Sequence, residues 1–393
     1  MKIAATIAEY NPFHLGHEYM LKSVKSLGFD GVIAVMSGNF VQRGDCAVCD
    51  KRARAKAALQ NGADLVIELP VPFATASAER FAYGAAEIIK GMGCVDAIAF
   101  GSESGDARII EKAAKIISGD LSEAIKPYLS EGMTFAAARQ KAVESIDKEA
   151  AALLQNPNDT LAVEYVSHLL DSGIKPIAIK RIGAAHDGEV KNGFASASEI
   201  RKMIISGDRN EFKKYMPESA AEIIDEQIEK GLAPADLKSA EGAVLSTLRQ
   251  MTAEDIAKLP DISEGLENRI ISAVRGNTSL DEILEEIKTK RYTLARIRRT
   301  LLCAYLGITK DYVFGKVPYI RVIGFNQKGR EIMNVMKKTA TLPIVSRAKE
   351  INALDKRAQD MFILESRTTD LYWLMTPTKM PCGKEMTDSV III

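Results

Sequence analysis

Two of the four histidines in this chain stand three apart, in His14-Leu15-Gly16-His17, directly after a short apolar run. A helix starting here presents unpaired N–H groups and a partial positive charge, which attract phosphate. Side chains three apart on a first turn share a face. Gly16 lets a ligand approach the backbone closely, and Pro12 stiffens the way into the turn. Imidazoles so placed can donate hydrogen bonds to phosphate oxygens as charge develops at phosphorus. The same four letters also describe two surface histidines at a helix start. It is their place after a first strand that favours chemistry.

A second segment supports the first. Ser196-Ala197-Ser198-Glu199-Ile200-Arg201 opens a helix after a later apolar run. Its hydroxyls and N-terminal N–H groups suit phosphates, and Arg201 suits a pyrophosphate leaving group. An N-capping serine with an ordinary helical arginine is the bland alternative. Cys46 and Cys49 form a lone CxxC, at most half of a tetrahedral zinc site, and no HxxxH pair accompanies it. No residue is therefore assigned to a metal, and the two thiols are taken as incidental.

These loops need elements to hold them. Apolar runs at 2–8, 31–36, 64–69, 95–100 and 175–181 read as strands, and helical patterns at 16–25, 51–61, 75–90, 108–154 and 196–205 lie between and after them. Nearly continuous apolar strands alternating with helices predict a parallel α/β sheet. The loops at 9–17, 37–43 and 101–103 follow strands, so they lie at the carboxyl ends, where open α/β sheets bind ligands. Beyond about residue 206 amphipathic helices dominate: 235–250, 252–259, 265–274, 279–288 and 294–306. A strand at 319–325, a helix at 328–338 and a short strand at 342–345 follow.

Composition bounds the rest. The length of 393 residues suits two or three domains, and 47% hydrophobic with 26% charged residues excludes a disordered chain. Net charge is zero, yet residues 286–357 hold 17 Lys and Arg against 5 Asp and Glu. Such a block is either a set of solvated helix faces or a surface for an anionic polymer. An odd set of five cysteines, with no stretch reading as a secretory segment, suits a reducing cytoplasm. No run approaches the roughly 20 apolar residues of a membrane span.

The first-strand HxGH and the Ser-rich, Arg-bearing helix start resemble the nucleotidyltransferases related to class I aminoacyl-tRNA synthetases. AEYNPFHLGH (8–17), MSGNFVQRGD (36–45), GADLVIELP (62–70), SAERFAYGA (77–85), FGSE (100–103), PNDTLAVEY (157–165) and YIRVIGFNQKGR (319–330) narrow the likeness to the bacterial tRNA(Met) cytidine acetate ligase family. The resemblance implies an α/β fold: a Rossmann-like nucleotidyltransferase parallel sheet over residues 1–206, and a mostly helical, locally basic C-terminal α+β domain over 207–393. It implies that ATP and acetate give acetyl-adenylate, and that the acetyl group passes to N4 of the wobble cytidine of elongator tRNA(Met). Mg²⁺ would come with ATP, and no obligate protein partner is expected.

Carried over by position, the family's ATP-binding first loop runs through Ile7, Ala8, Glu9, Tyr10, Asn11, Pro12, Phe13, His14, Leu15, Gly16, His17, Glu18, Tyr19 and Met20. Within it, His14 and His17 act on the phosphates. Gly101, Asn158, Arg181 and Ile182 match further nucleotide contacts, and Ser196, Ser198 and Arg201 join them from the second motif. The family's second Asn is Asp159 here, which leaves open whether Asn158 or Asp159 meets the nucleotide. Arg291, Arg296, Arg298, Arg299, Lys328, Arg330, Lys337 and Lys338 are the candidate tRNA contacts, and Lys51, Arg52, Arg54 and Lys56 could also meet tRNA. Two other functions stay open: a small-metabolite adenylyltransferase, which has no use for a long basic appendage, and a non-catalytic RNA-binding protein, which has no use for the histidine pair.

Overall fold

The computed structural model describes residues 1–182, 190, 193–263, 265–289 and 292–393. Its centre is a parallel sheet of β1 (Ile3–Ala8), β2 (Gly31–Ser37), β5 (Leu65–Leu69), β6 (Ala97–Ser102) and β7 (Lys175–Lys180). These lie in the order β5-β2-β1-β6-β7. The chain thus builds outward from β1 in one direction, returns, and builds in the other. That reversal opens a crevice at the carboxyl ends of β1 and β6. Between β2 and β5 a small hairpin of β3 (Phe40–Val41) and β4 (Asp45–Cys46) projects from the same end.

β2 is buried along its whole length, as its unbroken apolar sequence demands. Alternate residues serve two cores. Ile3, Ala5, Ile33, Val35 and Ile67 face the helices Ala78–Met92, Ala107–Ile117 and Pro157–Ser167. Ala4, Val32, Ala34, Met36 and Val66 face Leu15–Ser26, Lys51–Gln60 and Ala197–Ser206.

The expected strand near 319–325 does not stay with the helical half. β8 (Ile320–Phe325) pairs antiparallel with β5, so the sheet is mixed. β9 (Ile344–Val345) and β10 (Ile391–Ile392) add to the outer edge of β8. The apolar tail Ile391-Ile392 is therefore an edge strand. Burial drives the join: all six residues of β8 are buried, which a strand inside a small helical unit could not achieve.

The helices Glu241–Gln250, Ala253–Ala257, Leu266–Gly276, Leu280–Ile287 and Leu294–Leu306 surround a core of their own, which takes in Phe40 and Cys46 of the hairpin. Gly44, at φ +76°, is where they meet: a Cβ there would lie 2.5 Å from the Arg299 nitrogen. Only glycine serves at such a spot.

Lys51 and Arg54 are not at the surface. Lys51 Nζ pairs with Glu68 at 2.6 Å and Glu385 at 2.7 Å, in a buried cluster completed by Arg321 and Glu365. Arg54 is 1% exposed, and Arg52 pairs with Asp388 at 3.5 Å. The expectation that Lys51 and Arg54 could reach tRNA is overturned, because an unpaired cation is not buried and these two are fully engaged.

Candidate active site

Tyr10 takes the chain out of β1 at φ 46°, a left-handed conformation that costs a tyrosine roughly 1–2 kcal/mol. Burial holds it there. Its ring lies 5.0 Å from Phe13 and 4.9 Å from His17, centroid to centroid. The turn delivers His14 as the N-cap of Leu15–Ser26 and His17 as its third residue. His14 Nδ1 accepts the Gly16 N–H at 3.0 Å, and His17 Nδ1 accepts the His14 N–H at 3.3 Å. Gly16 is needed for this arrangement, since a Cβ would lie 2.9 Å from the His14 ring.

The two rings stack at 3.7 Å. With each Nδ1 acting as an acceptor, a neutral imidazole must carry its proton on Nε2. Both are neutral. Burial, then the charges of Arg181 and Arg201, push His14 down to about 3. Burial, then His14 and Arg181, push His17 well below the usual histidine range. The pair thus keeps two Nε2–H donors beside a helix N-terminus, a setting whose chemistry suits an anion.

Both histidines line a cleft of about 240 Å³ at the carboxyl ends of the strands. Across it, Ser196 caps the helix Ala197–Ser206 through the Glu199 N–H at 3.3 Å, and its hydroxyl lies 3.0 Å from that of Ser198. Arg201 Nη1 donates to the Asn11 carbonyl at 2.7 Å, which joins the two motif loops. Of the sequence candidates, Ile7, Ala8, Glu9, Tyr10, Asn11, Gly16, Tyr19, Met20, Gly101, Asn158, Arg181, Ile182, Ser196, Ser198 and Arg201 line the cleft with the histidine pair.

Four candidates do not. Phe13 turns into the core, Glu18 pairs with Lys22 at 2.6 Å, and Pro12 and Leu15 contribute no wall. The reason is helical geometry: only one side of the turn and first helix can face the crevice. Burial separates Asn158 from Asp159. Asp159 is fully buried and accepts the Glu103 and Ser104 N–H groups at 3.1 Å each. It braces the loop after β6, while Asn158 faces the cleft.

Sequence reasoning missed Thr6, Gln42, Arg43, Phe81, Phe100, Leu161 and Tyr165 as wall residues. Several sit in the motif strings, but no local spacing says that they converge. It also missed Arg54, whose guanidinium holds the carbonyls of Glu9, Ser37, Gly38 and Cys49. That one side chain fixes the ends of β1 and β2 against each other. Cys46 and Cys49 are free, and burial pushes Cys49 up to about 12, so neither is a ready nucleophile or ligand. Among the described residues no group of three or more His, Cys, Asp or Glu is placed to hold a metal ion.

The basic candidates divide. Arg298 lies exposed on the helix Leu294–Leu306 against the hairpin, and its charge, with that of Arg201 from the cleft wall, acts on the Asp45 carboxylate. Arg299 is spent on the Asp261 carboxylate at 3.1 Å, and Arg296 on the Asp261 carbonyl at 2.7 Å. Arg291 lies outside the described residues. Lys328, Arg330, Lys337 and Lys338 ride on Gln327–Thr339, which begins beside Asp64 and ends beside Met92. Those are the amino ends of β5 and β6, so this helix lies at the opposite end of the sheet from the cleft. Lys328 pairs there with Glu331 at 2.6 Å.

A doubly covered sheet reversing at β1, with a neutral histidine pair and a Ser/Arg helix start across the crevice, defines a nucleotidyl transferase. Residues 1–386 match the model of the HIGH Nucleotidyl Transferase family. The chain is 41% identical over 385 residues to the tRNA(Met) cytidine acetate ligase of Thermoanaerobacter sp. (strain X514), covering 95% of each. It is 37% identical over 416 aligned positions to that of Acetivibrio thermocellus, covering 100% of both. Thermotoga maritima TmcAL bound with alpha-thio ATP matches with a TM-score of 0.94 at 34% identity over 100% of both chains. The chain belongs to the HIGH nucleotidyl transferases and, within them, to the tRNA(Met) cytidine acetate ligase family.

Proposed function

We propose that this protein is an ATP-dependent acetate ligase that acetylates N4 of the wobble cytidine in elongator tRNA(Met). One observation carries the reading: two neutral Nε2–H donors face a serine- and arginine-lined wall across one cleft, in a chain that matches acetate ligases end to end. An acetate oxygen attacks the α-phosphorus of ATP in line, an O–P bond forms, and pyrophosphate leaves. No protein nucleophile is needed; positioning and charge stabilisation suffice. His14 and His17 donate to the triphosphate as charge moves onto the leaving group, and Arg201 and Arg181 neutralise it. Gly101, Asn158 and Ile182 take the nucleoside end.

The cytidine N4 then attacks the acyl carbon, AMP leaves, and one N4 proton is lost. An anticodon base is already single-stranded, so bringing it into the cleft costs little. On this reading the division near residue 206 is one of labour rather than of architecture. The sheet end activates acetate, and the helical body, with Arg298 exposed beside the hairpin, meets the RNA backbone. The cleft's imidazoles, hydroxyls and guanidiniums suit phosphate rather than a metal ion. Mg²⁺ would arrive on ATP, held by phosphate oxygens and water. No helix among the described residues is long and apolar enough to cross a membrane, and a protein that uses ATP and tRNA works in the cytoplasm.

The test is incorporation of labelled acetate into bulk tRNA, with and without ATP, followed by nucleoside analysis. ATP-dependent label in N4-acetylcytidine is the expected result. Acetate-dependent release of AMP and pyrophosphate without labelled tRNA would leave the activation step and remove the acceptor. Absence of both would overturn the proposal.

A further inference from the structure

The phosphate-facing groups and the nucleoside contacts do not use the whole cleft. Gly101, Asn158, Arg181 and Ile182 stand at the ends of β6 and β7. A second corner of the wall is taken here as Glu9 after β1, Gln42 in the hairpin turn, Phe81 on Ala78–Met92 and Tyr165 on Pro157–Ser167. These four form one contiguous set. Glu9 Oε1 accepts the Gln42 backbone N–H at 2.9 Å, which fixes Gln42 at the start of the hairpin turn. The rings of Phe81 and Tyr165 lie 6.4 Å apart, both buried. Burial, then the Glu9 carboxylate, push the Tyr165 hydroxyl above its ordinary value, which places Glu9 beside that ring.

The Gln42 amide Nε2 is buried and has no hydrogen-bond partner. A buried donor without an acceptor is costly, and its persistence calls for an explanation. The cleft as a whole carries more cation than anion: Arg43 follows Gln42, and Lys180, Arg181 and Arg201 stand elsewhere on its wall, against Glu9 as its one carboxylate among the described residues.

We propose that this corner is the acyl subsite, in which a small carboxylate seats its methyl group against Phe81 and Tyr165 and one oxygen on Gln42 Nε2. This rests on the acetate-activating reading above. The free oxygen attacks the α-phosphorus, the O–P bond forms and pyrophosphate leaves. The oxygen held by Gln42 becomes the carbonyl oxygen of the mixed anhydride. When the cytidine N4 attacks, that same oxygen takes the negative charge. As it collapses, the bond to AMP breaks and the N4 proton passes to solvent. One donor thus serves the substrate in the first step and the oxyanion in the second. The aromatic pair closes the corner, so a longer acid must displace a ring to enter.

Gln42→Met removes the donor without adding charge, and the free protein loses no hydrogen bond to Nε2, so its melting temperature should hold. Acetate-dependent ATP–pyrophosphate exchange then reads the site. The acetate KM should rise about 10- to 100-fold, as expected for a lost bond to a charged group, with ATP affinity measured without acetate unchanged. Phe81→Leu should narrow the preference for acetate over propionate by about 10-fold or more. Gln42→Met with a wild-type acetate KM, or with weakened ATP binding in the absence of acetate, overturns the subsite while leaving acetate activation intact. A wild-type protein without acetate-dependent exchange overturns acetate activation, and the subsite with it.

Discussion

On the proposed mechanism His14 does two jobs with two nitrogens, and two substitutions separate them. Asparagine can place its carbonyl oxygen where Nδ1 sits, 3.0 Å from the Gly16 N–H, but it does not reach the position of Nε2. Glutamine reaches the position of Nε2 but gives up the cap. An N-cap is worth about 1 kcal/mol, and the stacking against His17 at 3.7 Å, lost in both, about 0.5–1.5 kcal/mol. A preset donor to developing charge is worth about 2.7–4 kcal/mol, or roughly 10²–10³ in kcat. His14→Asn should therefore fold almost as well as wild type and turn over roughly 10²–10³ more slowly. His14→Gln should be less stable by about 1 kcal/mol more and should keep most of the rate. Urea unfolding and single-turnover formation of acetyl-adenylate measure the two quantities. A His14→Asn protein that works at the wild-type rate, or that is destabilised as much as His14→Gln, would refute the division of labour.

Arg54→Ala orphans four carbonyls in the interior, at about 1–3 kcal/mol for each acceptor left unmet. A loss of at least about 3 kcal/mol in urea unfolding is expected, and a near-neutral result would mean that the loop ends of β1 and β2 hold themselves. Because the folded protein depresses His14 and His17, the unfolded chain binds protons more readily, and stability must fall as pH drops. The loss begins near the unfolded value of about 6.5 and runs to about 3 for His14, at up to roughly 1.4 kcal/mol per pH unit for each histidine. A His14→Asn/His17→Asn double variant should show a shallower fall over that window; parallel curves would exclude the pair as its source. Arg298→Ala should weaken tRNA binding and lower the salt slope by about 1. Lys337→Ala/Lys338→Ala, on the far end of the sheet, should leave both unchanged, and the reverse pattern would move the RNA to the other face.

What the sequence determined alone is what local rules control. The strands of the parallel core lie within a few residues of their apolar runs, because a strand buried on both faces must be apolar throughout. The histidine pair was legible for a similar reason: a spacing of three at a helix start sets two side chains on one face wherever the helix goes. The helix start at Ser196 was legible by its cap.

Tertiary structure decided everything that depends on distant partners. The apolar run at 320–325 announces a strand but not its neighbour, and only the exposed edge of β5 explains why it crosses back into the first sheet. Lys51 and Arg54 look like surface charges, since nothing local reveals the carboxylates and carbonyls that let them be buried. Gln42, Phe81 and Tyr165 line one cleft from three separate segments. A basic block has no direction until its helices are docked, and docking sends Arg298 to the hairpin beside Gly44 and Lys337 to the opposite end of the sheet. Spacing along the chain fixes relations within a turn of helix or a stretch of strand. Relations between elements follow from which faces must be buried together, and that is a property of the whole fold.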